Sequence, residues 1–259
     1  MGLVQLEMIE AVKNIALADD SVSAVLMYGS FIKGEGDQYS DIEFYIFFHR
    51  DFDHREFVSR VRPLLMFFQN EFGTEVAVFD NLIRGEFHFA PAAEIDLIKA
   101  WEGLTSFEYA DQMSLVDKEG KLAAVLAAIT RRRPKHDTAE HIRWLAESLI
   151  NNLLMVGNLI QRGEAAHAQA CFQFILKYLV WFIRLADAAD NHWESPTKKL
   201  EQEISPAWYV KYRQCPPTIE PADLRNSLGR SVALAEELFA VLKVPDDLKK
   251  LLSRLSPVG

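Results

Sequence analysis

The chain has 259 residues, 49% of them apolar and 25% charged, and carries a formal net charge of −9. That length and apolar content are enough to fill two modest cores, which excludes a mainly disordered chain. The acidic balance argues against DNA or RNA held through a broad phosphate-neutralising surface, although an acidic protein still attracts a cationic small molecule.

The N-terminus, MGLVQLEMIE, lacks the basic start and apolar centre of a signal peptide. No apolar run reaches the roughly 20 residues that span a bilayer; the richest, FILKYLVWFIRL, is broken by Lys177 and Arg184. A cytoplasmic protein with no membrane partner is expected. From Leu3 to Ala18 apolar residues recur at helical spacing, with Leu6, Ile9, Val12, Ile15 and Ala16 on one stripe, and Asp19-Asp20-Ser21 ends the pattern.

Residues 24–28, AVLMY, have the composition of a buried strand, and 41–48 alternate well enough to be its hairpin neighbour. Side chains two apart on a strand share a face. Asp41 and Glu43 therefore point the same way, with Ile42 and Phe44 behind them, and two converging carboxylates call for a cation. Oxygen-only ligands suit Mg²⁺, which takes one or two carboxylates and completes its shell with water and substrate phosphates. Gly29 and Ser30, between the strands, supply the other half: a glycine lets backbone N–H groups approach phosphate oxygens, and a serine hydroxyl adds a donor. Gly34 and Gly36 let the connecting loop turn.

Downstream, Asp53 is placed to cap a helix over 54–72, with Pro63 as a local irregularity and Gly73 as its end. Three strand-like runs follow, 75–79, 85–90 and 94–98, separated by Asp80-Asn81 and by Pro91. These complete a small mixed sheet flanked by helices. In GEFHF, Glu86 and His88 share one face with Arg84, while Phe87 and Phe89 take the other. A domain boundary is expected near 111–120, giving a first domain over 1–112 and a second over 113–259. The second half is helical in pattern, over 121–130, 138–162, 165–189, 221–243 and 246–255, which describes an α+β chain ending in a helical bundle. Cys171 and Cys215 are far apart, so neither a disulfide nor a zinc site is supported, and the seven histidines show no metal spacing. Trp144, Trp181, Trp193 and Trp208 read as core or interface aromatics. The basic run Arg131-Arg132-Arg133 reads mainly as the cationic end of a helix.

Gly-Ser, ten residues, then Asp-x-Glu, with apolar residues around both ends, resembles the signature of the DNA polymerase β-like nucleotidyltransferase superfamily. The wording MYGSFIKGEGDQYSDIEFYIFF, followed by GTEVAVFDNLIRGEFHF, is similar to the lincosamide nucleotidyltransferases, relatives of the aminoglycoside nucleotidyltransferases. The resemblance implies a polymerase β-like mixed sheet followed by a helical substrate-binding domain. It implies transfer of AMP from ATP to a hydroxyl of lincomycin or clindamycin, in a cleft between the two domains. It also implies a third carboxylate beside the hairpin, for which Glu86 is better placed than Glu75 or Asp96 and which would act as general base. Asp41 and Glu43 would hold one or two Mg²⁺ ions, and Gly29 and Ser30 the phosphates. Lys177, amid Phe174, Leu176, Tyr178 and Trp181, either snorkels to solvent or adds a polyphosphate contact. The expected partners are thus a nucleoside triphosphate and a small antibiotic, with a homodimer left open. The alternatives are an aminoglycoside acceptor, which should demand many carboxylates, and a non-catalytic nucleotide-binding partner of the toxin–antitoxin kind, which the retention of all the carboxylates disfavours.

Overall fold

The computed structural model describes residues 2–102, 107–131 and 134–255. It divides into two compact units, residues 1–134 and 135–259.

The first unit begins with helix α1 (Val4–Ala18), whose Met8, Ile9, Val12 and Ala16 are buried. Strand β1 (Val22–Met27) follows and pairs antiparallel with β2 (Ile42–Phe48). A short helix α2 (His54–Ser59) is capped by Asp53, whose side chain accepts from the Glu56 backbone N–H at 2.9 Å. Here the expected long helix fails. Pro63 lacks the N–H that a helix interior needs, and residues after it form strand β3 (Leu64–Gln69), which pairs antiparallel with β4 (Glu75–Phe79). Strand β5 (Arg84–Pro91) then lies antiparallel to β4 and parallel to β2. The expected strand over 94–98 is instead part of a 3₁₀ stretch, Ala92–Trp101, that buries Ala92, Ile95 and Ile98. Helix α3 (Ala110–Met113) leads into strand β6 (Ser114–Asp117), which pairs with β1, and α4 (Lys121–Ala128) closes the unit. The sheet order is β3-β4-β5-β2-β1-β6. Because β6 completes this sheet and α4 packs with the 3₁₀ stretch, the units part between 134 and 135 rather than at the expected 112.

The sheet is covered on both faces. One buries Ile42, Phe44, Ile46, Ala77, Phe79 and Phe87 with residues of α1 and α2. The opposite face buries Ala24, Leu26, Phe47 and Ala90 with Ile95, Ile98, Met113, Leu122 and Leu126. The expected mixed sheet with flanking helices is therefore present.

The second unit is helical: α5 (Ala139–Gln161), α6 (Ala165–Ala186), α7 (Leu200–Glu203), α8 (Pro206–Tyr212), α9 (Pro221–Val241) and α10 (Asp246–Ser253). Leu145, Leu149, Leu153 and Val156 of α5 recur at three- and four-residue spacing and meet Phe172, Ile175, Leu179 and Phe182 of α6 and Leu238 and Phe239 of α9. The side chain of Arg184 is fully buried in this unit. It donates from Nε to the Pro196 carbonyl (2.6 Å), from Nη1 to the Ala189 carbonyl and to Glu203 (2.7 Å each), and from Nη2 to the Lys198 carbonyl (2.7 Å). His192, also buried, meets the same Glu203 carboxylate at 2.8 Å. One guanidinium thus gathers the irregular segment that joins α6 to α7.

Candidate active site

The register of three strands builds the site. Tyr28 donates its backbone N–H to the Glu43 carbonyl at 3.1 Å, extending the β1–β2 ladder by one residue. Glu43 lies opposite Glu86 across the parallel β2–β5 pair, Tyr45 opposite His88 and Phe47 opposite Ala90. Partners across a ladder share a face. One face of the sheet therefore carries an inner row of Ala24, Phe47 and Ala90, a middle row of Leu26, Tyr45 and His88, and an outer row of Tyr28, Glu43 and Glu86. Asp41 and Arg84 continue it one step further out. The inner row is packed under the 3₁₀ stretch and α4, so the polarity rises toward the open end.

Arg84 bridges the acids, with Nη1 on Asp41 at 2.6 Å and Nη2 in a short contact with Glu86. Burial disfavours its charge, but Glu86 and Asp41 outweigh this and hold its pKa above the ordinary value. The Tyr28 hydroxyl is pushed far up by burial and then by the charges of Glu43, Glu86 and Asp41, so at any working pH it stays a donor. His88 stacks on Tyr45 with ring centroids 4.4 Å apart. Burial lowers its pKa against an opposing pull from Glu86, leaving the imidazole neutral at pH 7. Trp101 closes the aromatic floor edge-on to both Tyr28 and Tyr45, 5.7 Å from each.

Gly29 sits at φ +82°, and a Cβ there would lie 1.4 Å from Glu43 Oε2. The carboxylate occupies the space that the glycine vacates, so the turn and the acid interlock. Beside it the Ser30 hydroxyl is buried with no hydrogen-bond partner among the described residues, although buried hydroxyls normally have one. Gly34 takes a left-handed φ of +68°, whereas Gly36 serves a different need: a Cβ there would lie only 2.4 Å from the Phe31 ring, so its absence makes room for that ring. A pocket of about 450 Å³ opens beside the outer row, lined by Tyr39, Ser40, Asp41, Asn81, Leu82 and Arg84 among others.

Replacing Gly29 by Ala separates fold from function. The atom met is the end of a flexible side chain, so Glu43 can swing aside, and the main stability cost is the left-handed backbone, about 1–2 kcal/mol. The expected outcome is a modest fall in thermal midpoint with an at least tenfold loss of turnover; unchanged turnover would show that Glu43 has no fixed place in the chemistry.

Of the residues expected from sequence, the structure brings Gly29, Ser30, Asp41, Glu43 and Glu86 together. Glu75 is excluded as the base: it lies opposite Phe87 on the other face of the sheet, where its Oε1 contacts His54 Nδ1 at 2.9 Å. Asp96 is on the 3₁₀ stretch, exposed and paired with Lys99 at 2.8 Å. Lys177 stands on α6 in the second unit with its ammonium 4.7 Å from the Trp181 ring centroid, a cation–π contact that adds no support to a nucleotide role. Arg131 pairs with Asp111 at 2.7 Å, and Arg132 and Arg133 lie outside the described residues. Sequence reasoning passed over Tyr28, Tyr45 and Trp101; the signal for the first two was their even spacing from Leu26 and Glu43.

Residues 138–255 match the family model described as lincosamide nucleotidyltransferase-like, C-terminal domain. No curated protein matches the chain. Among solved structures, an aminoglycoside 6-adenyltransferase from Bacillus subtilis is 12% identical, with 96% of this chain and 97% of that chain covered and a TM-score of 0.45. A nucleotidyltransferase-like protein from Exiguobacterium sibiricum 255-15 is 13% identical, covering 96% and 89%, with a TM-score of 0.36. Both likenesses are too loose to bear on site or substrate. Among the described residues no helix is long and apolar enough to cross a membrane. Over residues 138–255, within its helical second unit, the chain is thus similar to the C-terminal domain of lincosamide nucleotidyltransferase-like proteins.

Proposed function

We propose that this protein transfers AMP from ATP to a hydroxyl of a lincosamide such as lincomycin or clindamycin, with Mg²⁺ and release of pyrophosphate. The observation that carries this reading is the pairing of Glu43 with Glu86 across β2 and β5, with Asp41 one step further out on the same face and, in the turn after β1, a buried Ser30 hydroxyl that has no hydrogen-bond partner among the described residues. The family match of the C-terminal half supports a lincosamide-type acceptor.

The donor set fits Mg²⁺. Asp41 and Glu43 offer only carboxylate oxygens, the ligands a hard cation prefers. Such an ion needs only one or two carboxylates and takes its other ligands from water and phosphate. When bound, Mg²⁺ supplies charge neutralisation for the triphosphate and the departing pyrophosphate.

The remaining steps belong to this chain's own residues. Ser30 and the backbone N–H groups of its turn donate to the β- and γ-phosphate oxygens. Glu86 accepts the proton of the acceptor hydroxyl as that oxygen bonds to the α-phosphorus; the bond from phosphorus to the bridging oxygen breaks, and pyrophosphate leaves with the electron pair. For Glu86 to take the proton, Arg84 must release it and turn to another anion, which the triphosphate supplies. Tyr28, held protonated, can only donate. Catalysis is then mostly positioning and charge placement.

The test is to incubate the protein with ATP, Mg²⁺ and a panel of lincosamides and aminoglycosides and to weigh the products. A mass gain of one AMP on clindamycin or lincomycin is expected. A gain on aminoglycosides alone overturns the acceptor. ATP binding with no product on any acceptor overturns the enzyme reading in favour of a nucleotide-binding module.

A further inference from the structure

The outer row does not stop at Glu86. Across β4 and β3 the same face continues, because Val76 lies opposite Glu86, Val78 opposite Arg84, Phe68 opposite Val76 and Met66 opposite Val78. Here the surface turns wholly apolar. Met66 is 47% and Phe68 43% exposed, on a strand that forms the edge of the sheet among the described residues. No charged residue occurs from Leu64 to Gln69. Large apolar side chains left open beside a row of carboxylates ask for an apolar ligand rather than for solvent.

Strand order says which ligand. Taken across the face, the sequence is Ser30 after β1, Glu43 on β2, Glu86 on β5, Val78 on β4, and Met66 and Phe68 on β3. In a phosphoryl transfer the attacking and leaving oxygens lie roughly in line on opposite sides of phosphorus. If the β- and γ-phosphates sit on the Ser30 side, the hydroxyl must arrive from the far side, past Glu86. What stands there is the apolar edge. Strands are about 4.8 Å apart, so β3 lies two strands, about 10 Å, from the base, a distance matched to the body of a small antibiotic and not to a single hydroxyl.

We infer that Met66, Phe68 and Val78 form a shelf on the catalytic face that seats the apolar body of the acceptor and delivers its hydroxyl to Glu86. This rests on the proposed transfer to a lincosamide and adds the residues that select an acceptor with an apolar body over a polycationic one. Met66 and Phe68 are exposed, so they can be cut back without emptying a core.

The experiment compares wild type with Met66→Ser/Phe68→Ser in steady-state AMP transfer to clindamycin, varying clindamycin and ATP separately. The conservative Met66→Leu/Phe68→Leu pair and light-scattering masses serve as controls. The serine pair should raise the KM for clindamycin about ten- to a hundredfold, as expected for apolar contact of this size. The KM for ATP should stay within about twofold, and the leucine pair should restore most of the loss. If wild type modifies no lincosamide, the underlying reading is overturned. If it does and the serine pair leaves its KM unchanged, the shelf alone is overturned. A rise in the KM for ATP instead would assign these residues to the nucleotide. A wild-type dimer that the serine pair dissociates would assign the edge to a second copy of the chain.

Discussion

Glu86→Gln is expected to lower turnover by about 10²- to 10⁴-fold, the usual contribution of a positioned general base, while ATP and acceptor still bind. The change is nearly isosteric and leaves Arg84 its second partner, Asp41, so the outer row keeps its geometry. Only the proton acceptor is lost. Steady-state rates together with equilibrium ATP binding decide the matter, and the deficit should shrink at high pH, where hydroxide can take the proton. Asp41→Asn and Glu43→Gln should behave differently. Each removes a proposed Mg²⁺ ligand, so the dependence on Mg²⁺ concentration should shift as well as the maximal rate. If Glu86→Gln turned over normally, neither rival named from sequence could replace it, since Glu75 faces away and Asp96 is bound up with Lys99 at the surface.

Arg184→Met should destabilise the protein by about 3–5 kcal/mol, the usual result of removing one partner from a buried, hydrogen-bonded ion pair. The loss is large against a total of about 5–15 kcal/mol. Three backbone carbonyls and Glu203 would lose their donor at once, and Lys cannot supply the missing fork. The pH dependence adds a second readout. Burial acts to raise the Glu203 pKa, but His192 and Arg184 outweigh it and hold the carboxyl below its ordinary value. A depressed acid contributes stability above its unfolded pKa, near 4.3, and loses it as pH falls through the folded value. The gap between wild type and Arg184→Met in denaturant midpoint should therefore be widest near neutrality and narrow below about pH 4. A gap that did not change with pH would mean that the guanidinium acts only through the carbonyls.

The candidate row was legible because it depends on local alternation. Period-two patterning placed Asp41 with Glu43 and Glu86 with Arg84 and His88, and the structure keeps each set on one face. What alternation could not supply was β3. LLMFF is continuously apolar, a pattern that strand and helix share, and only the Pro63 in front of it favoured the strand. The four residues of β6 were too few to show a period, and 92–101 pack as 3₁₀ turns because Ala92, Ile95 and Ile98 are three apart, matching three residues per turn. Arg184 looked like an interruption of an apolar helix. Its partners are carbonyls on a loop 5 to 14 residues away, which no side-chain pattern reveals. The Gly29–Glu43 interlock was half visible: the glycine was expected to admit phosphate, and it also admits the acid.

Because Glu43 and Glu86 meet across a parallel ladder that runs in unbroken register from Ile42 with Gly85 to Phe48 with Pro91, the proposed chemistry depends on phase as much as on identity. Deleting one residue inside β2, Ile42 for example, would rotate everything on one side of the cut by half a period. A carboxylate would then be driven toward the Phe44–Phe87 stack, 5.5 Å between centroids, and a core phenylalanine toward the face proposed to meet the phosphates. A point change at the same place would disturb one contact. Length changes are therefore affordable only outside the ladders, in the turns at 49–53 and 80–83, where the chain can absorb an extra residue without shifting the beat of the strands.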